Sequence, residues 1–110
     1  MSGSIERLAG VIADRQAHPR EGSYTCQLLA GGPALAARKL GEEAVETVVA
    51  ALDEDRARLT AEAADLVYHL LVLLASRGIG WAEVEEELDR RSRPSPPTPS
   101  PTLRGERGHP

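Results

Sequence analysis

The chain has 110 residues, which is enough for one domain, and its formal net charge of −4 gives it no basic surface for nucleic acid. Its single cysteine, Cys26, permits no disulfide within the chain, and Glu6 and Asp14 fall where a secretory signal needs an apolar run. We therefore expect a cytoplasmic protein that binds neither nucleic acid nor membrane.

The first predicted helix runs from Ser4 to about Ala17, with Ser4 as its N-terminal cap. Apolar residues recur along one side of it at helical spacing: Ile5, Leu8, Val11 and Ile12. Pro19 ends this helix. After a loop at residues 20–22, Ser23 is placed to cap a short helix, Tyr24–Ala30, which the following glycines end.

Two longer helices follow, predicted at residues 33–52 and 56–77. The first has a stripe at i, i+3, i+4 and i+7 that predicts packing into a core: Val45, Val48, Val49 and Leu52. The second has its own predicted core side: Ala63, Leu66, Val67, Leu70, Leu71 and Leu74. Residues 70–75 are apolar on every side but too short a run to span a bilayer, which predicts burial between subunits as well as within one.

The last predicted helix covers residues 81–91, with Val84 and Leu88 facing inward and its acidic residues facing solvent. From residue 93 onward the composition changes to Pro, Ser and Thr, which is typical of a disordered tail. The sequence thus predicts an all-α domain at residues 1–92, a four-helix bundle completed as a homodimer, followed by a Pro-rich tail at residues 93–110.

Two acidic clusters lie on the two long helices. At about 100° per residue, Glu42 and Glu46 lie on one face with Glu43 beside them, while Glu62 and Asp65 share a face one turn apart. If a short connection folds the helices back antiparallel, the clusters face each other across a groove. Such a groove would offer oxygen ligands to a hard divalent cation.

A solvated face is the simpler interpretation of either cluster alone, because charge runs on helices usually meet only water. Two details favour a site. Glu42 and Glu46 are like charges one turn apart, a cost that a cation between them offsets. Glu62 and Asp65 are followed at once by a strongly apolar segment, so we expect them at the edge of the core, where carboxylates need partners.

The residues of these two stretches resemble those of the phosphoribosyl-ATP pyrophosphatase family. The motifs are Lys-Leu-Gly-Glu-Glu-Ala-Val-Glu at residues 39–46 and Glu-Ala-Ala-Asp-Leu-Val-Tyr-His-Leu-Leu at residues 62–71. Gly-Ser-Tyr-Thr at residues 22–25 resembles that family too. The acidic motifs alone mark the wider MazG-like all-α nucleoside-triphosphate pyrophosphatases, so the narrower resemblance depends on the other segments.

This resemblance implies Mg²⁺-dependent hydrolysis of the α-β phosphoanhydride of phosphoribosyl-ATP, a step of histidine biosynthesis. An acidic pocket binds a polyphosphate only through cations, and Mg²⁺ prefers carboxylate, water and phosphate oxygens. The predicted catalytic and metal-ligating residues are Glu42, Glu43, Glu46, Glu62 and Asp65. One of these glutamates could instead orient the attacking water as a base, and the sequence does not distinguish them.

Further polar residues are candidates for substrate binding: Arg20, Ser23, Tyr24, Arg38, Lys39 and His69. Each has a simpler alternative. Lys39 could pair with Glu43, Ser23 could only cap its helix, and His69 among leucines could be a hydrogen-bonded core residue. Two other functions stay open: a house-cleaning pyrophosphatase acting on common nucleoside triphosphates, and a helical dimerisation module without catalysis.

Overall fold

The computed structural model describes residues 3–94, and within that range every regular element is an α-helix. The helices are α1 (Ser4–Ala17), α2 (Tyr24–Ala30), α3 (Gly32–Asp53), α4 (Arg56–Ser76) and α5 (Trp81–Ser92). The all-α prediction is confirmed, with four long helices and the short α2 between the first two of them. The predicted tail lies, from residue 95 onward, outside the described residues.

The helix starts follow local capping, and one predicted cap is wrong. Gly3, not Ser4, is the N-cap of α1, because its N–H donates to Oε1 of Glu6 at 3.2 Å and Ser4 is already the first helical residue. Ser4 lies inside the helix, where its hydroxyl accepts from the Arg7 guanidinium at 3.2 Å. Ser23 caps α2 as predicted, since its Oγ accepts from the Cys26 N–H at 3.1 Å.

The turn between α2 and α3 depends on two adjacent glycines. Gly32 has φ of +76°, a left-handed conformation that residues with a side chain rarely adopt. A Cβ on Gly31 would lie 2.3 Å from Cδ2 of Leu35, too close for any ordinary contact. The glycines therefore let α3 start directly after α2 ends, with Pro33 in its first turn.

α4 is the central helix of the fold and packs against α1, α2 and α3. The buried core contains Ile12, Leu28, Ala36, Leu71 and Val72. Each large side chain buried in this way contributes about 1.5–3 kcal/mol. Trp81, at the start of α5, packs against the same core and fixes the beginning of the last helix.

The predicted core stripe on α3 is exposed within the chain, so that prediction is wrong for a single subunit. Val45 is 63% exposed and Leu52 is 78% exposed, and Val48 and Val49 are also exposed. The face of α3 that approaches α4 consists instead of small or polar residues one turn apart, which include Thr47 and the buried Ala50. Small side chains permit close helix packing, and the valine stripe lies on another side.

Val11 is predicted on the apolar side of the first helix and Leu88 is predicted to face inward, and both are exposed. Ile12, next to Val11, takes the buried position on α1 instead. On α5, Val84 is half-buried and Trp81 contacts the core, but Leu88 lies further along the helix, beyond these contacts. The apolar pattern identifies the side of each helix that faces the core. The part of that side that is buried is narrower than the pattern suggests.

By length and composition alone, α4 is a helix that could cross a membrane. The core helix of a soluble protein passes the same test. Here α4 packs against three other helices and carries the buried polar residues Glu62 and His69. These contacts favour the core-helix interpretation of α4.

Candidate active site

The pairing of α3 with α4 determines the geometry of the acidic residues. Residues 54–55 connect the two helices, and the Asp55 side chain caps α4 by accepting from the Arg58 N–H at 2.9 Å. So short a connection folds α4 back along α3. Thr47 fixes their register, because its hydroxyl lies 2.8 Å from the Glu43 carbonyl oxygen and 3.2 Å from that of Glu62.

Three of the predicted carboxylates converge between these helices. Glu43, Glu62 and Asp65 each offer an oxygen, and these oxygens all lie within 4.8 Å of one another. Glu62 is only 5% exposed, Glu43 is half-buried and Asp65 is exposed. We call these three residues the carboxylate triad. It has a buried side and an open side, so a ligand can reach it from solvent.

Two oxygens of the triad are buried without a hydrogen-bond partner among the described residues. They are Oε1 of Glu43 and Oε1 of Glu62. A buried carboxylate oxygen without a partner is costly, and a bound cation would satisfy both. The observed oxygens and their spacing therefore fit a hard divalent cation such as Mg²⁺.

The pKa of the Glu43 carboxyl is raised above its ordinary value. Burial is the main cause, and the negative charges of Glu46 and Asp65 add to it, whereas His69 acts in the opposite direction. The carboxylates thus repel one another when no cation is bound. A divalent cation would reverse this effect by favouring the ionised form.

The other two predicted carboxylates lie apart from the triad. Oε1 of Glu42 is 3.5 Å from Nζ of Lys39, and its Oε2 is 3.9 Å from Nε of Arg38. The structure therefore places two of the three predicted cationic substrate-binding residues, Arg38 and Lys39, next to Glu42. Glu46 is exposed one turn beyond Glu42, and its charge acts on Glu43.

Sequence reasoning missed Arg58 and Thr47. Nη2 of Arg58 lies 2.8 Å from Oε2 of Glu62, so one oxygen of that carboxylate is paired. The i, i+4 spacing of the two residues was a visible signal. Nothing in the sequence singled out Thr47, because its contact with α4 depends on the register between the helices.

The N-terminus of α2 attaches to α4 through four polar and aromatic residues. The Thr25 hydroxyl is hydrogen-bonded to that of Tyr68, and the Tyr24 hydroxyl lies 3.2 Å from Nε2 of His69. Nδ1 of His69 donates to the Asp65 carbonyl oxygen at 2.8 Å. In the neutral ring Nε2 is then the acceptor, so the Tyr24 O–H donates to it.

The rings of Tyr24 and Tyr68 are stacked, with centroids 6.2 Å apart and planes 25° from parallel. The His69 ring meets both of them edge-on. Burial raises the pKa of the Tyr68 hydroxyl, so this group stays protonated and serves only as a hydrogen-bonding group. His69 is buried next to Asp65, and this cluster holds the backbone of the triad in place.

The loop before α2 contains Arg20, which is exposed. Its backbone N–H donates to Sγ of Cys26 at 3.4 Å. The hydrogen bond with Ser23 is the main cause that lowers the pKa of the Cys26 thiol, followed by the Arg20 N–H. The Ser23 hydroxyl accepts from the Cys26 N–H, so Ser23 has the capping role that was its simpler alternative.

Comparisons with known proteins point to one family. A family model described as phosphoribosyl-ATP pyrophosphohydrolase matches residues 5–92. A phosphoribosyl-ATP pyrophosphatase of Metallosphaera sedula is 54% identical over 93 residues, covering 84% of this chain and 100% of the relative. One of Paracoccus denitrificans is 53% identical over 87 residues, covering 79% of this chain and 81% of the relative. Phosphoribosyl-ATP pyrophosphatase 1 of Bradyrhizobium diazoefficiens is 55% identical over 89 residues, covering 81% and 84%.

Proposed function

The chain belongs to the phosphoribosyl-ATP pyrophosphohydrolase family, and we therefore propose that it hydrolyses the α-β phosphoanhydride of 1-(5-phosphoribosyl)-ATP. The products are phosphoribosyl-AMP and pyrophosphate, and the reaction is the second step of L-histidine biosynthesis. The enzyme acts in the cytoplasm.

The carboxylate triad is the observation that supports this proposal. Glu43 and Glu62 each have a buried oxygen without a hydrogen-bond partner among the described residues. An acidic pocket of this kind repels a polyphosphate unless cations lie between them. Bound Mg²⁺ would supply that bridge, polarise the phosphates and lower the pKa of an attacking water.

The triad would hold the cation, and Glu46 is one turn from Glu43 on the open side, where it can contribute a ligand or orient water. Lys39 and Arg38, which flank Glu42, would contact the phosphates when these displace their present partner. Glu42 would then complete the ligand set.

The α2 end of the site would bind the rest of the substrate. Arg20 and the capped N-terminus after Ser23 provide a guanidinium and backbone N–H groups suited to a 5′-phosphate. Tyr24 is 48% exposed, so its ring would meet a base or ribose, while the buried His69 would hold the Tyr24 hydroxyl in place.

The decisive test compares pyrophosphate release from phosphoribosyl-ATP with release from a panel of common nucleoside triphosphates, with Mg²⁺ and with EDTA. We expect phosphoribosyl-ATP to be strongly preferred, and turnover to require Mg²⁺. Preference for a common triphosphate would identify a house-cleaning pyrophosphatase. Absence of any hydrolysis would leave only a helical dimerisation module.

We also propose a homodimer, with an interface that includes the exposed α3 stripe: Val45, Val48, Val49 and Leu52. A contiguous apolar helix face of this kind is typical of an interaction surface. The sequence predicts the interface on the helix at residues 56–77, which corresponds to α4. In the structure, however, the side chains of residues 70–75 are buried or half-buried within one subunit. The apolar stripe left uncovered, with four large side chains on one helix, lies on α3.

Replacing Val48 with Asp is expected to convert the dimer into a monomer, because a charge would be buried at the interface. Light scattering at micromolar concentration measures the mass. Val11→Asp is the matched control, since Val11 is an exposed valine on α1, outside the stripe. A parent chain that is an active monomer at this concentration would contradict the proposal.

Deleting residues 95–110 is expected to leave melting temperature and turnover unchanged. This segment is rich in Pro, Ser and Thr, and Leu103 is its only large apolar residue, so it has little surface to add to a core. The deletion leaves Arg93, whose N–H donates to the Asp89 carbonyl at the end of α5. A marked fall in either quantity would show that the segment contributes to the domain.

A further inference from the structure

Arg58 and Glu62 form an ion pair at the edge of the carboxylate triad. Nη2 of Arg58 contacts Oε2 of Glu62 at 2.8 Å, while Oε1 of Glu62 is buried without a partner in the described part of the chain. The two oxygens of one carboxylate thus have different environments. One is held by a guanidinium, and the other is left for a ligand.

The backbones at both ends of this contact are fixed by the fold. Arg58 is in the first turn of α4, where its N–H donates to the capping Asp55 side chain at 2.9 Å. The Glu62 carbonyl oxygen lies 3.2 Å from the Thr47 hydroxyl of α3. A glutamate has several rotatable bonds, so a fixed backbone alone does not orient its carboxylate. The Arg58 contact supplies that orientation.

We propose that Arg58 is a positioning residue for the divalent cation. It holds Oε2 of Glu62 so that Oε1 is presented to an ion shared with Glu43 and Asp65. This inference rests on the metal site of the proposed function and adds to it a residue outside the acidic motifs. Arg58 does not touch the ion or the substrate in this role.

Two effects of Arg58 on cation affinity oppose each other. Its positive charge repels the cation, but the Arg58 side chain is 60% exposed, so solvent screens that repulsion to roughly a few-fold. Orienting a ligand from outside the metal shell typically changes affinity by about 10–100-fold. Orientation is therefore the larger effect, and loss of Arg58 weakens binding.

The test is calorimetric titration of the metal-free full chain with Mn²⁺ as the probe ion. Arg58→Met is expected to weaken Mn²⁺ binding about tenfold, and Arg58→Lys to recover part of that loss. Arg56→Met is the matched control, because it removes the same charge from an exposed position in the same helical turn. Its affinity should stay within about twofold of the parent, as expected for a screened surface charge.

Metal-free melting curves show whether each variant is folded, and Arg58→Gln replaces Arg58→Met if the latter does not fold. Binding as tight as the parent's in Arg58→Met, no recovery in Arg58→Lys, or an equal loss in Arg56→Met would each overturn the inference. The Glu62→Gln variant distinguishes a failure of the Arg58 inference from a failure of the proposed function. If Glu62→Gln abolishes Mn²⁺ binding, the metal site stands, whereas a parent that binds no Mn²⁺ refutes both.

Discussion

Replacing Asp65 with Asn or Glu62 with Gln should reduce pyrophosphate release from phosphoribosyl-ATP by at least about 100-fold. Each change removes one charged oxygen from the carboxylate triad, whose ligand oxygens lie within 4.8 Å of one another. A divalent cation contributes several kcal/mol to stabilising charge on the phosphates, and every 1.36 kcal/mol corresponds to about tenfold in rate. Turnover at saturating Mg²⁺ is the measurement.

Glu85→Gln on α5 is the control for these variants. Glu85 is exposed and lies on a helix that contributes nothing to the triad, so the same loss of charge there should leave turnover unchanged. Circular dichroism would establish that every variant keeps its helical content. Parental turnover in both Asp65→Asn and Glu62→Gln would mean that the acidic face is only a solvated surface.

Local signals in the sequence predicted most of the helical architecture. The helix breaks at Pro19 and at Gly31–Gly32 leave little freedom in where α1, α2 and α3 begin and end, and Ser23 caps α2 as its type suggests. Helix 56–77 was predicted within one residue of α4. Such boundaries depend on residues close in sequence, which is why pattern alone could find them.

The side of α3 that faces α4 was not predictable in the same way. The valine stripe has the stronger apolar pattern, yet α3 packs on α4 through Ala50, Thr47 and their neighbours. A periodic pattern shows that a helix has an apolar face but not which surface covers it. Within a single subunit the valine stripe is exposed. It would be buried only if a second surface covered it.

The site shows the same division between local and non-local information. Helical spacing predicted that Glu62 and Asp65 share a face, and the structure places both in the triad with Glu43. Glu42 instead lies beside Lys39 and Arg38. Glu42, Glu43 and Glu46 are equivalent in sequence terms, and only the packing of α3 against α4 separates the half-buried Glu43 from the two exposed ones.

The last prediction concerns the free energy of unfolding of the metal-free enzyme. In EDTA at neutral pH, Glu43→Gln should melt about 1–3 °C above the parent, because relief of like-charge repulsion of a few tenths of a kcal/mol shifts the melting temperature of a small domain by that much. The pKa of Glu43 is raised mainly by burial and then by the charges of Glu46 and Asp65, and the neutral glutamine removes both of these costs.

The dependence on pH follows from the direction of that shift. A carboxyl whose pKa is raised in the folded state binds more protons in that state than in the unfolded one. The stability of the parent therefore falls as the pH rises from about 4.3, the ordinary pKa of glutamate, through the raised pKa of Glu43. The advantage of Glu43→Gln should therefore be absent below that window and complete above it.

Saturating Mg²⁺ should reverse the order of the two melting temperatures, since an ion at 100 times its Kd adds about 2.7 kcal/mol to the stability of the parent. Melting curves across this pH range, with Mg²⁺ and with EDTA, test both statements. A Glu43→Gln variant that melts below the parent in EDTA at every pH would show that the Glu43 carboxylate stabilises the metal-free fold, contrary to its buried, unpartnered oxygen.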